Sequence, residues 1–159
     1  MIKCNFISNL HIVSASLALL TAAVVLLAPK GPVFHKLAGY IFAVAILLVN
    51  ISAAFMYKLT GHFNFLHVFI FISMFSLIYG LVPAILKKPQ NWLRLHISGM
   101  TGAALGVWAA GMAEFTIRVL PGFLSVRFII ATAIGMGVIF FFLIYLVINR
   151  FVNKMQQYS

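Results

Sequence analysis

NLHIVSASLALLTAAVVLLA, residues 9–28, carries no charged side chain and is closed by Pro29-Lys30-Gly31-Pro32. About twenty residues at a rise of about 1.5 Å each cross a hydrocarbon layer of about 30 Å. With Lys3 ahead of it the run could pass for a signal peptide; it is read here as a retained first membrane helix.

The rest of the chain keeps to that solvent. Of 159 residues 64% are apolar and 8% charged, and the mean hydropathy is +1.14. A water-soluble domain of this length has no interior large enough for so much apolar surface, so lipid must cover it. Eleven Lys and Arg stand against one acid, Glu114. The bases lie between apolar runs rather than in one patch, which argues for headgroup contact and topology rather than nucleic acid. A single cysteine, Cys4, allows neither an intrachain disulfide nor a zinc–thiolate cluster, and no role is assigned to it.

Further apolar runs predict helices over 33–57, which includes Asn50, over 63–86, rich in Phe, over 92–115 and over 127–149. Pro83 should bend or end the third, because it removes a donor and clashes with the preceding turn. The links are 58–62, 87–91 and an external loop 116–126 with Pro121-Gly122; a basic tail ends at Ser159. The expected fold is all-α: an integral membrane bundle of five transmembrane helices in one domain over 1–159. Two hairpins would form a four-helix core, with one helix added. Lys3, Lys58, Arg118 and Arg127 fall on the N-terminal side, against Lys30, Lys36, Lys87, Lys88, Arg94, Arg150 and Lys154 on the other. That bias places the N-terminus outside and the C-terminal tail in the cytoplasm.

Four histidines mark the two hairpins. His11 and His35 are 24 positions apart and His67 and His96 are 29 apart, each at or near the start of an apolar run. The matching placement reads as an internal repeat. In an antiparallel bundle, helices 1 and 3 are diagonal partners, as are 2 and 4. The expectation is two facing pairs, His11 with His67 near the outer surface and His35 with His96 near the inner, about 20–25 Å apart. Helix N-termini and partial burial favour neutral imidazole, the metal-ligating form. Two imidazoles at each level are what a six-coordinate b-type haem requires. Lys36 and Arg94 stand near the inner level as counter-charges for propionates, with Arg118, Lys58 and Arg127 near the outer.

Two plainer readings compete. Small residues follow the histidines at helical spacing: Ala15, Ala18 and Ala22 after His11, Gly39 after His35, and Gly99, Ala103, Gly106 and Ala110 after His96. They give a flat macrocycle room, but small faces, such as Gly102-x-x-x-Gly106, more commonly serve close helix packing. A histidine at a membrane interface is also tolerated for structure alone. On the outer side His11, His62, His67 and Glu114 form an alternative zinc group with an open position for water. No His-Glu-x-x-His motif accompanies them. Glu114 is equally an interfacial partner for Arg118, four residues on.

Leu10-His11-Ile12, Phe34-His35-Lys36-Leu37-Ala38-Gly39-Tyr40, Leu66-His67, Arg94-Leu95-His96-Ile97-Ser98-Gly99-Met100 and Leu120-Pro121-Gly122 together resemble a bacterial family of predicted multi-helix membrane proteins. That family is a domain of unknown function with His-x-x-x-Gly in its second span. The resemblance covers residues 9 to 122; it implies a helical fold, the four histidines as a set and the bacterial cytoplasmic membrane, but no reaction. The family pattern tends to place arginine directly after Leu-Pro-Gly, where this chain has Phe123 and so no guanidinium for an anion. A looser likeness, of arrangement only, is to transmembrane b-type cytochromes, whose diagonal histidine pairs hold one haem near each surface.

Three functions follow. An electron-transfer cytochrome, with quinone or a redox protein as its partner, would be red and reducible. A zinc-dependent membrane hydrolase would hold zinc and be colourless. A structural or transport subunit, alone or in a membrane complex, would hold no cofactor and fold near-normally after each His→Ala.

Overall fold

The structure, a computed structural model, describes residues 2–27, 31, 33–56 and 66–119, and beyond them 135, 138–139, 142–143, 145–146 and 149–150. Four helices follow in order: α1 (Ile2–Leu27), α2 (Phe34–Ala54), α3 (Leu66–Leu86) and α4 (Trp92–Val119). Among the described residues there is no strand, and the positions described between 135 and 150 are helical. The rest of the fifth span expected over 127–149 lies outside the described residues.

Helix ends differ from the sequence expectation where no residue stops the helix. The lead before Asn9, read as a polar extension, is helical from Ile2; it holds neither Pro nor Gly. α4 runs through the first residues expected to be loop, as far as Val119, and the first strong breaker is Pro121-Gly122 beyond it. Pro83 does not end α3, which continues to Leu86.

Among the described residues three stretches are long and apolar enough to cross a bilayer: Phe6–Leu27, Phe34–Ala54 and Phe69–Leu86. α4 is the longest of these four helices, at 28 residues, but Gly, Ala, Ser and Thr dilute its apolarity and it carries Arg94, Glu114 and Arg118. The chain divides into two compact units, Met1–Phe75 and Ser76–Ser159. The boundary falls within α3 rather than in the link between the two expected hairpins.

In the first unit α1 packs along α2. The buried stripe of α1 is Ser14, Ala18, Ala22 and Val25, a spacing that keeps one face of a helix. α2 contributes Phe42 and Ile46, both fully buried, with Ala38, Ala43 and Ala45 around them. Bulky side chains point the other way: Phe6, Val13 and Leu20 of α1 are each exposed by 66–68%. Small residues inside and large apolar ones outside are what lipid permits, since Leu gains nothing by leaving acyl chains. Hydroxyls within the spans bond to their own helix. Ser14 Oγ donates to Leu10 O (2.6 Å) and Thr21 Oγ1 to Leu17 O (2.7 Å).

Two polar bonds tie α2 to its neighbours. Asn50 Nδ2 donates to Ser73 Oγ of α3 at 2.9 Å, and that hydroxyl returns to Asn50 Oδ1 at 3.3 Å. Two residues on, Ser52 Oγ lies 3.0 Å from His11 Nδ1 of α1. Asn50, the polar residue conspicuous in the sequence, is therefore a cross-helix clamp.

The second unit is built on backbone contact. A Cβ on Gly80 of α3 would stand 2.6 Å from Met100 N, and one on Gly99 of α4 would run into the backbone nitrogen of Gly80. Neither neighbour is a flexible side chain that can yield. His96, one turn before Gly99, bonds through Nδ1 to Gly80 O at 2.9 Å. The link between the helices begins at Lys87, whose φ of 56° turns the chain in the left-handed region. Its Nζ sits 3.6 Å from the centre of the Trp92 ring, a cation–π contact at the start of α4.

Replacing Gly99 or Gly80 with Ala should cost about 1–3 kcal/mol, as overpacking does. Gly106→Ala, where a Cβ meets no described atom within 4 Å, should stay within about 0.5 kcal/mol. Unfolding in detergent micelles measures all three, and equal costs would remove the close-approach argument. A double-mutant cycle on Asn50→Ala and Ser73→Ala should return a coupling of about 0.6–1.7 kcal/mol, the range for hydrogen bonds between membrane helices. A coupling of zero would show that the pair adds nothing.

Candidate functional site

The histidines fall at defined places on the helices. His35 and His67 are each the second residue of their helix, in α2 and α3, and His96 is the fifth of α4. His11 departs from the expectation. With α1 starting at Ile2, it lies more than two turns inside the helix. The end-of-helix dipole fades within about one turn, so it does not act on this imidazole.

Hydrogen bonding fixes two of the rings. Ser52 Oγ has one proton, and its short contacts run to the carbonyls of Leu48 (2.7 Å) and Val49 (2.9 Å) on its own helix. With that proton on its own helix, Ser52 accepts from His11, and the imidazole donates from Nδ1. For His96 the partner is the carbonyl of Gly80, which only accepts. The carbonyl puts hydrogen on Nδ1 of His96, and His11 matches it when the Ser52 proton points to its own helix. A ligating histidine is commonly oriented in this way, its other nitrogen donating to a carbonyl or hydroxyl. The same bonds also hold helices together, α1 to α2 and α4 to α3. His67 is buried, with its Nε2 fully covered.

Levels within the first unit follow from these bonds. His11 is level with Ser52, near the end of α2. His67 lies six residues, about 9 Å, from Ser73, which pairs with Asn50. His35 is seventeen residues from Ser52 along α2, about 25 Å. His11 and His67 thus share one end of this unit, and His35 has the other. His96 belongs to the second unit.

Small residues near the histidines divide by use. Ala18 and Ala22 are fully buried on the packed face of α1, and Gly99 is pressed against α3. These serve helix packing and leave no platform for a macrocycle. Gly39, four residues after His35, keeps open space, with no described atom within 4 Å of a Cβ built there.

Of the expected counter-charges, Lys36 is exposed beside His35. Arg94 is turned about 200° around α4 from His96, as two positions require, and lines a cleft of its own. Arg118 lies in α4 with its side chain outside the described part, as are Lys58 and Arg127 altogether. For the alternative zinc group, His11 and His67 fall in the first unit and Glu114 in the second. His62 lies outside the described residues. Among the described residues no three His, Cys, Asp or Glu gather to hold a metal ion.

Sequence reading missed Ser52, Ser73 and Gly80 as partners, because a hydroxyl or a glycine in an apolar run gives no hint of which helix it meets. It also passed over the cleft in the second unit. The polar pairs Arg94-x-x-x-Ser98 and Tyr145-x-x-x-Asn149 were the available signal: each puts two polar groups on one helical face in an apolar setting.

No curated protein and no solved structure matches the chain. One family model does, over residues 8–153, nearly the whole length, and its description is predicted membrane protein (DUF2306). The match spans most of the sequence and the apolar helices fit its description: the chain belongs to the DUF2306 family of predicted membrane proteins.

Proposed function

We propose that this protein carries electrons across the bacterial cytoplasmic membrane through haem b held by two histidine pairs, His11 with His67 and His35 with His96. The observation that carries the reading is that His11 and His96 each bond through Nδ1 to a neighbouring helix. A ligating histidine is commonly oriented in this way, by a bond from the ring nitrogen that does not bind the metal. In this reading five helices cross the membrane, with the N-terminus outside and the C-terminal tail in the cytoplasm. The open face at Gly39 gives room beside His35.

Haem, when bound, supplies the one-electron chemistry. The chain's own residues orient the imidazoles, through Ser52 and the Gly80 carbonyl, and surround them with an apolar shell that raises the cost of charge. Lys36 and Arg118 supply charge for propionates. Arg94 faces away from His96, two positions and about 200° around the helix. Quinone or a redox protein is the electron partner.

The test is an optical spectrum of the purified protein, oxidised and then dithionite-reduced, with a metal assay on the same sample. A b-type spectrum at about two haems per chain is expected from two bis-histidine sites. His67→Ala should remove about half of it. Retention of all haem, or loss of all with helicity intact, argues against separate pairs. A colourless protein from haem-replete cells overturns the proposal, and zinc in that sample shifts the assignment to His11, His62, His67 and Glu114.

A further inference from the structure

The second unit holds a cleft of about 350 Å³ lined by Tyr79 of α3, by Asn91, Arg94 and Ser98 at the start of α4, and by Tyr145 and Asn149 of the C-terminal helical segment. Three separate stretches of chain converge on it with one guanidinium, three hydroxyls and two amides. No carboxylate lines it. Tyr79 is seven residues from the end of α3 and Ser98 six beyond the start of α4. Both walls therefore run about 10 Å inward from the link between the helices. Lys87 and Lys88 stand in that link.

Charge identifies what is missing. The sequence has a single acid, Glu114, and it lies on the same helix as Arg94, twenty residues away, or about 30 Å. No side chain acid of this chain reaches Arg94. A guanidinium in a cleft of hydroxyls and amides, with no carboxylate side chain of the chain within reach, suits an external anion bearing several acceptor oxygens. The planar fork of arginine matches a phosphate in two parallel bonds. The cleft is open at the surface, with Tyr79, Asn91, Arg94 and Tyr145 exposed, and the apolar helix faces around it select a phosphate that carries hydrocarbon.

We propose that this cleft is a binding site for the phosphate group of an anionic phospholipid. Arg94 makes the charged contact, Ser98 and the two tyrosines donate to the remaining oxygens, and the acyl chains run along the apolar outer faces of the helices. The site does not depend on haem, and its test is separate from the spectrum.

The experiment is native mass spectrometry of the full chain in detergent micelles. Phosphatidylglycerol or phosphatidylcholine of the same acyl chains is titrated in, with and without inorganic phosphate. The unmodified protein should retain phosphatidylglycerol about tenfold better, the worth of one charge-assisted contact. Arg94→Gln should erase that preference, and Arg94→Lys should keep part of it by charge without the fork. Tyr145→Phe, which leaves both charge and ring in place, should weaken retention of phosphatidylglycerol. Circular dichroism checks that each variant keeps its helices. Equal retention of the two lipids, or a preference that survives Arg94→Gln, overturns the proposal. Displacement of phosphatidylglycerol by inorganic phosphate supports the phosphate chemistry and overturns the lipid as its source.

Discussion

Inside a hydrocarbon layer no water is available to answer a polar group, so each one must find its partner within the protein. That constraint organises the described structure more than apolar attraction does, because lipid is as apolar as any Leu or Phe it touches. Where a hydroxyl has no distant task it bonds back to its own helix, as Ser14 and Thr21 do. Where it is used between helices, it does both. Ser52 gives its proton to its own backbone and accepts from His11. Asn50 and Ser73 exchange donor and acceptor roles across two helices. The Gly80 carbonyl takes an imidazole proton.

Shape follows a second rule, the sorting of side chains by size. Ala, Ser and Gly predominate at contacts between helices, with Phe42, Ile46 and Leu77 buried among them, and most other Phe, Ile and Leu point away. A soluble protein puts its large apolar side chains inside; here the large side chains are the outer coat. The consequence for histidine is direct. A ring next to small residues reaches across a narrow gap to the opposite backbone or hydroxyl, as His96 does beside Gly99. The glycine and the histidine one turn away from it thus act together.

Much of this was legible in the sequence, for reasons that can be located. Uncharged runs of about twenty residues needed no partner to be recognised, since length and hydropathy alone define a span. The histidines could be picked out because ionisable groups are scarce in such runs. Helix starts were harder, since Ile2 to Ser8 is neither strongly apolar nor interrupted by a breaker. The partners were hidden for a deeper reason. Ser52 and Ser73 are ordinary residues whose meaning lies in the neighbouring helix, and a hydropathy pattern has no record of neighbours. Arg94 was noticed for its charge and read with His96 because they are close in the chain. Helical rotation separates them, and only three-dimensional placement reveals the cleft that Arg94 serves.

The contact between Gly80 and Gly99 has a consequence for how this chain enters a bilayer. α4 falls short of the three most apolar stretches, yet it touches α3 backbone to backbone, with a histidine bond beside the contact. A less apolar segment is easier to hold in lipid when a neighbouring helix covers one of its faces and answers its polar groups. The glycine pair lets α3 do this for α4, so the two helices suit entry into lipid as a pair.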